Sequence, residues 1–348
     1  MSDITTYKLA FIGLGTVSQG AIGYIRDQAD LLRDQYGFAL KVVALYTARR
    51  GSLYQPAGLD LDRVLAIGRN SLDQYPDDPN LKRGLSMAAI VDQTNADVII
   101  EASPTNFDDA QPALGTIRTA MQAGKHVITA NKGPLALAYA ELKALAERQG
   151  VYFGYEGTVM GGTPALQFAR LSLAGMTISG VRGIVNSTTN YILTQMEAGN
   201  DYAAALAAAQ RLGFAETDPR GDVDGHDAAG KLPILANVLL GADLKPDDVQ
   251  RSGISALTSA DIDAARQSGE RWKLIADAHR QPDGSVQAIV RAERLPVTDP
   301  LAGVAGVTNA LSFETDLLGP LTIVGAGAGP QTGVAILSDL IDLHRSRR

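Results

Sequence analysis

Between Gly213 and Lys231 the chain reads Gly-Phe-Ala-Glu-Thr-Asp-Pro-Arg-Gly-Asp-Val-Asp-Gly-His-Asp-Ala-Ala-Gly-Lys, so five carboxylates, a histidine and a lysine share one short window. Asp227 opens a helical pattern and Lys231 stands four residues later, on the same helix face. A carboxylate beside a lysine keeps the ammonium oriented and charged, while burial lowers its pKa. Such a lysine can exchange a proton with a hydroxyl or carbonyl oxygen. The neighbouring carboxylates can receive a substrate ammonium. The competing reading is a solvated acidic turn or a calcium-like loop, but the spacing lacks the D-x-[DN]-x-[DN]-G frame and distal Glu of an EF-hand.

A second chemical signal lies near the N-terminus. Lys8 to Ile12 reads as a strand, and Gly13-Leu14-Gly15-Thr16-Val17-Ser18 follows it into a helical segment. That is the context of a dinucleotide fingerprint. The first glycine permits the tight turn, the second lets the backbone approach a pyrophosphate, and the helix N-terminus offers N–H groups and a positive dipole end. Ser18 stands where a third glycine is expected, and a plain strand–helix turn is the alternative. The next strand runs into Tyr46-Thr47-Ala48-Arg49-Arg50 with no carboxylate to bond a ribose 2′-hydroxyl. Arginine forks suit a 2′-phosphate, so Arg49 and Arg50 predict that NADP is accepted. The alternative is that both are solvated loop charges. Ligands of open α/β sheets bind outside the carboxyl ends of strands. Two more such ends carry Glu101-Ala-Ser-Pro-Thr-Asn106 and Ala130-Asn-Lys-Gly133, which puts Lys132 where a nicotinamide or substrate would lie. His126 falls within a strand and reads as structural. Tyr139 and Lys143 match the Tyr-x-x-x-Lys pair of short-chain dehydrogenases, but in a helix they read as an ordinary i,i+4 pair.

These residues need a scaffold. Strands are expected at 8–12, 41–45, 97–100, 126–129 and 151–155. Helices are expected from the glycine loop towards Tyr36, at 108–123 and at 135–149, the last two closed by Gly124 and Gly150. Alternating strands and helices indicate an α/β domain on a parallel sheet. After Glu156 the pattern changes: a glycine-rich loop at 157–164, a strand at 180–186, helices at 191–197 and 202–212, strands at 286–293 and 319–324, and a final helix at 331–344. The fold class is therefore α/β, a Rossmann-type dinucleotide-binding domain plus an α+β domain that carries the carboxylate–lysine window. The first comprises residues 1–150 with 318–348 returning, and the second residues 151–317.

Composition narrows the chemistry. The chain has 348 residues, a length that suits about two domains. Without cysteine there is no disulfide, thiolate zinc site, Fe–S cluster or catalytic thiol. A net charge of −7 gives no footprint for nucleic acid, and the basic residues 344–348 read as a solvated tail. No apolar run approaches the roughly 20 residues of a membrane span, and residues 2–7 are too polar for a signal peptide. A cytoplasmic protein is expected, with no membrane partner.

The combination resembles the homoserine dehydrogenase family over nearly the whole chain. The resemblance rests on Gly13–Val17, Ser103-Pro104-Thr105-Asn106, Ala130-Asn131-Lys132, Glu156 with Gly161-Gly162-Thr163-Pro164, and Gly183–Leu193. It continues through Gly213–Lys231, then Gly325–Gly329 with Ser338-Asp339-Leu340. It implies interconversion of L-homoserine and L-aspartate 4-semialdehyde with NADP or NAD. Carried over, Lys231 and Lys132 act at the reacting oxygen, Lys231 first. Asp222 and Asp227 orient Lys231 or bond substrate. Glu216 binds the substrate amino group, and Thr188 with Ser187 helps hold substrate. Gly13, Gly15, Thr16, Val17, Ser103, Pro104 and Lys132 bind cofactor, with Arg49 and Arg50. Glu156 and the carbonyls of Val159, Gly161 and Thr163 resemble the family's monovalent-cation site, which would take sodium. The resemblance implies a homodimer or homotetramer acting on a small molecule, in a short form without an ACT domain or fused aspartokinase. Ser18, Ser187, Phe214 and Pro233 depart from the family pattern. Ser187 would be strained if its backbone needed positive φ, and Pro233 would interrupt helical bonding just after Lys231. Two further readings stay open: a shifted substrate, and a nicotinamide-binding sensor without catalysis.

Overall fold

The computed structural model describes residues 4–327 and 329–347. Ala328 of the glycine-rich 325–329 run, Arg348 of the basic end and residues 1–3 lie outside the described residues. The chain divides into two units, Met1–Gly162 with Gly329–Arg348, and Thr163–Ala328.

The first unit is built on a seven-stranded sheet. Its strands are β1 (Thr5–Ile12), β2 (Phe38–Thr47), β3 (Gly51–Tyr54), β4 (Lys82–Arg83), β5 (Val98–Glu101), β6 (His126–Thr129) and β7 (Phe153–Gly154), in the order β4-β3-β2-β1-β5-β6-β7. β2, β1, β5, β6 and β7 run parallel, and β3 and β4 continue antiparallel at one edge. Leu9, Ala10, Phe11 and Ile12 of β1 are all buried, as expected of a central parallel strand covered on both faces. The chain leaves β1 towards one edge and comes back to its other side at β5. The gap between the ends of β1 and β5 is thus the topological switch point, where such sheets bind ligands.

Local chemistry sets the element ends. The 108–123 helix expected from periodicity begins only at Ala113. Asn106 Oδ1 accepts from Asp108 N (2.8 Å) and Asp109 Oδ1 from Gln111 N (2.8 Å), so side-chain turns compete successfully with the helix. The next helix starts three residues earlier than expected, at Lys132, because Asn131 caps it and Pro134 is tolerated in a first turn. The final helix, Thr332–Arg345, packs in this unit against the Thr16–Asp27 helix. A Cβ on Gly20 would lie 2.3 Å from the Pro330 carbonyl oxygen. The first helix therefore meets the main chain just before the final helix at Gly20, two residues after Ser18.

The second unit carries a six-stranded sheet of β8 (Ile178–Ile184), β9 (Gln250–Arg251), β10 (Glu270–Arg280), β11 (Val286–Pro296), β12 (Thr308–Thr315) and β13 (Gly319–Ala326), ordered β13-β12-β8-β10-β11-β9. β8 is central and antiparallel to both β10 and β12. β10 and β12 were not anticipated from the sequence; β10 reads Glu-Arg-Trp-Lys-Leu-Ile-Ala-Asp-Ala-His-Arg, and its charges mask the period-two pattern. The helix expected at 191–197 starts at Ser187, capped by Asn186, and β8 stops at Ile184 rather than running to residue 186. One helix runs unbroken from His226 to Leu240 across Pro233, correcting the expectation of an interruption. It is apolar nearly all round and buried from Ala228 to Asn237, so packing sustains it where one backbone bond is missing.

Candidate active site

In the second unit the predicted catalytic residues gather round the amide of Asn186. As the cap of the Ser187–Glu197 helix, Asn186 accepts from Thr189 N at 2.9 Å through Oδ1. This fixes its amide group, whose Nδ2 donates to Asp222 Oδ1 (2.6 Å) and to Asp227 Oδ2 (3.0 Å). Asp227 Oδ2 also lies 2.7 Å from Lys231 Nζ, one helical turn on. Nζ donates in addition to the Val185 carbonyl, 2.6 Å away, just past the end of β8. Lys231 is only 8 % exposed. The result is a lysine held by one carboxylate and one carbonyl, with a second carboxylate bridged to the first by an amide.

Asp222 sits on the Arg220–Val223 turn. The backbone of Gly253 presses on this turn, and Ile254 N donates to the Val223 carbonyl (2.8 Å). Burial pushes the Asp222 carboxyl above its ordinary value; the Asn186 hydrogen bond opposes this, and the Asp227 charge adds to it. Thr188 is buried and donates to the Phe214 carbonyl (2.7 Å). Ser187 turns elsewhere: its hydroxyl donates to Asn309 Oδ1 (2.9 Å) on β12. Ser187 is not among the positive-φ residues, so the strain feared for a side chain there does not arise. Glu216 is exposed, and its carbonyl accepts from Gln210 Nε2 (3.0 Å). The Phe214 ring packs edge-on to Tyr191, 5.1 Å between centroids.

In the first unit the cofactor-type residues meet at the switch point. Gly13 has φ +94° and donates its N–H to the Tyr46 carbonyl (2.8 Å). A Cβ on Gly13 would come within 2.5 Å of the Ala102 oxygen, so the turn after β1 and the turn after β5 touch through the glycine. Ser18 is buried and donates to the Gly13 carbonyl (2.8 Å), which stiffens the loop. Gly15 has open space over its Cα, and Thr16 and Val17 begin the helix. Arg50 donates to the Leu14 and Gly68 carbonyls, as does Gln19, so Arg50 clamps the glycine loop, whereas Arg49 is exposed. Ser103 is half-buried, Pro104 is exposed, and Lys132 occupies the first helical position after its Asn131 cap.

Glu156, Val159 and Gly161 are buried in this unit. Glu156 N donates to Asp339 Oδ2 (3.0 Å), so the final helix anchors that loop. Thr163, the first residue of the second unit, donates through Oγ1 to the Ala326 carbonyl (3.1 Å). Among the described residues no group of three or more His, Cys, Asp or Glu could hold a metal ion. His126 accepts from Tyr152 N (3.0 Å) and burial pushes it down to about 4, a structural histidine. Tyr139 and Lys143 share the Lys132–Gln149 helix, and the Tyr139 hydroxyl bonds Tyr155 (3.1 Å).

Two residues central to this geometry were not singled out from sequence. Asn186 falls at the end of the strand expected over 180–186, although an Asn before Ser-Thr-Thr is a helix-cap signal. Glu101 was read only as part of a loop, and nothing in its spacing reveals that its side chain is fully buried.

Comparison with known proteins covers both groups of residues. Residues 13–156 match the family model described as the NAD binding domain of homoserine dehydrogenase, and residues 164–341 match the model described as homoserine dehydrogenase. A NAD(+)-dependent homoserine dehydrogenase of Pseudomonas canavaninivorans is 44 % identical, over 99 % of this chain and 97 % of the relative. The homoserine dehydrogenase of Methanocaldococcus jannaschii is 39 % identical over 98 % and 99 %. The crystal structure of a homoserine dehydrogenase from Thiobacillus denitrificans superposes with a TM-score of 0.83 at 31 % identity, covering 99 % of this chain and 74 % of that one. The two family models tile the chain in the order in which the glycine turn and the Asn186–Lys231 cluster occur, and on that ground the chain belongs to the homoserine dehydrogenase family.

Proposed function

We propose that the chain interconverts L-homoserine and L-aspartate 4-semialdehyde, with Lys231 as the proton-transfer group. The observation that carries this is the buried Lys231 Nζ held 2.7 Å from Asp227, with Asp222 joined to the same Asn186 amide. The nicotinamide cofactor supplies the chemistry of accepting or giving a hydride at the substrate's hydroxyl-bearing carbon. In the oxidative direction Lys231 as the neutral amine would take the hydroxyl proton while the hydride passes to the oxidised cofactor; in the reductive direction its ammonium would give a proton to the oxygen of the aldehyde carbonyl. Asp227 and the Val185 carbonyl fix Nζ, and Asp222 holds Asp227's neighbour Asn186 in place. Glu216 receives the substrate ammonium, Thr188 and Ser187 border the substrate, and Lys132 is the second ionisable group of the reaction. No thiol is needed, in keeping with a chain that has none.

The first unit binds the cofactor through Gly13, Gly15, Thr16, Val17, Ser103, Pro104 and Lys132. Both NAD and NADP are accepted. The 44 % identical relative is named NAD(+)-dependent, and exposed Arg49 supplies a fork for a 2′-phosphate. Glu156 with the carbonyls of Val159, Gly161 and Thr163 holds sodium, a cation that oxygen donors suit. The second unit forms a homodimer or homotetramer: Leu317 and Leu318 are 70 % and 59 % exposed beside the edge strand β13, and Val324 on it is 55 % exposed. Among the described residues no helix is long and apolar enough to cross a membrane, and we place the enzyme in the cytoplasm. The deciding experiment follows nicotinamide absorbance with L-homoserine and either cofactor. Cofactor binding without turnover of homoserine would overturn the assignment and favour a sensor; a monomeric mass in solution would remove the assembly.

A further inference from the structure

Glu101 ends β5 at the switch point, flanked by Ile12 on β1 and Thr129 on β6, and has no exposed surface. An acid in that position needs partners. Oε1 accepts from Ser103 N (3.1 Å) and, more closely, from the Ser103 hydroxyl. The Thr129 hydroxyl is shared between the Glu101 carbonyl (3.1 Å) and Oε2 (3.4 Å), and Asn131 Nδ2 reaches the Ser103 hydroxyl (3.3 Å) that Glu101 holds. Asn131 Nδ2 reaches back to the carbonyls of Ser103 (3.1 Å) and Pro104 (3.2 Å), and Asn131 Oδ1 caps the helix that begins at Lys132. The Ala102–Ser103 turn is the backbone against which Gly13 closes. One buried carboxyl group therefore ties together the three carboxyl-edge loops that carry Gly13, Ser103 with Pro104, and Lys132.

We propose that Glu101 is the positioning residue of the nicotinamide-cofactor site, holding the Ser103–Pro104 and Asn131–Lys132 turns in register with the glycine turn. The proposal rests on the assignment of those three segments to the cofactor. Burial pushes the Glu101 carboxyl up to about 7 against hydrogen bonds that pull it down. A scaffold with no functional demand is rarely built round an acid so costly to bury. Glu101 touches neither reactant, so its effect falls on placement.

The test is NADH binding by fluorescence titration, together with steady-state kinetics, on the full chain. Glu101→Gln keeps an acceptor for Ser103 N but replaces the second carboxyl oxygen by an amide donor. The expected result is a rise of about tenfold in the Kd for NADH and in the KM for the oxidised cofactor, with the KM for homoserine within about twofold of the parent. Ser103→Ala, on a half-buried turn, should give the same split even if the Gln variant folds poorly, and the double variant should be no worse than the weaker single. Unchanged NADH affinity in a well-folded Glu101→Gln variant would overturn the proposal, as would an equal rise in both KM values. If the parent chain itself fails to bind NADH, the cofactor assignment falls first, and this proposal with it.

Discussion

Lys231→Met tests the centre of the second unit with the least disturbance. Methionine reproduces the unbranched stem but not the ammonium, so little cavity is created. Two bonds vanish, to Asp227 Oδ2 at 2.7 Å and to the Val185 carbonyl at 2.6 Å. Removing one partner of a buried pair costs about 3–5 kcal/mol. Asp227, however, keeps the Asn186 amide at 3.0 Å, and its side chain is 23 % exposed. The stability cost should therefore lie near about 2–3 kcal/mol, with Tm lower by about 5–10 °C for a unit of this size. The kinetic cost is of another kind. Loss of a positioned proton-transfer group lowers turnover by about 100- to 10,000-fold, or about 3–5 kcal/mol in the barrier. At 25 °C the variant remains folded, so the two effects separate. The assay is homoserine oxidation by nicotinamide absorbance, with NADH affinity from fluorescence and a thermal melt on the same sample. NADH affinity should stay within about twofold. A folded variant retaining more than about a tenth of the parent kcat would refute the proton-transfer role, and so would a loss of NADH affinity in step with kcat.

Three further outcomes follow from the first unit. Gly13→Ala meets both a φ of +94° and the Ala102 oxygen 2.5 Å from its new Cβ; backbone strain alone costs about 1–3 kcal/mol, and thermal melts should show a clear loss together with weaker NADH binding. Arg49→Ala should raise the KM for NADP about tenfold and leave NAD unchanged, whereas Arg50→Ala, which leaves the Leu14 and Gly68 carbonyls to Gln19 alone, should weaken both cofactors; equal cofactor effects at Arg49 would dismiss it as a phosphate partner. Glu101 makes stability fall as pH rises. Its folded pKa of about 7 lies above the ordinary 4.5, so between these values the folded state binds more protons than the unfolded state. Its stabilising contribution is complete below pH 4.5 and is lost as pH rises through 7. At 1.36 kcal/mol per pKa unit the change is on the order of 3 kcal/mol. Denaturant midpoints across that window should drop for the parent and stay flatter for Glu101→Gln.

What was legible in the sequence depended on whether chemistry or packing wrote it. The glycine turn is visible because a strand, two spaced glycines and a helix can be read in order. Lys231 and Asp227 are visible because an i,i+4 pair survives any packing of its helix. Periodicity failed where side chains override it. Asn106 and Asp109 unravel the start of an expected helix through their own turns, and Asn131 and Asn186 start two helices earlier than apolar spacing does. β10 escaped because Lys273, Asp277 and His279 occupy the same strand face as Ile275. Lys273 pairs with Glu197, distant in sequence, and His279 pairs with Asp277 on its own strand (2.7 Å) as well as with the distant Glu314. A strand stabilised by partners more than thirty residues away carries no local mark of it.

The same distinction explains why Arg50 and Ser187 changed meaning once folded. From sequence, Arg50 is one of two equivalent forks for a phosphate. In the fold its guanidinium is engaged by the Leu14 and Gly68 carbonyls, so the pair divides into a loop clamp and an exposed fork. From sequence, Ser187 is a bulky intruder at a glycine position. In the fold it lies in a helical first turn, and its hydroxyl reaches across to Asn309 on β12. A departure from a family pattern is costly only if the backbone there needs what the usual residue provides. Ser187 keeps an ordinary φ and gains a partner, so it should be tolerated for stability. Any change it makes to substrate preference must come from the hydroxyl beside Thr188, which Ser187→Gly would remove.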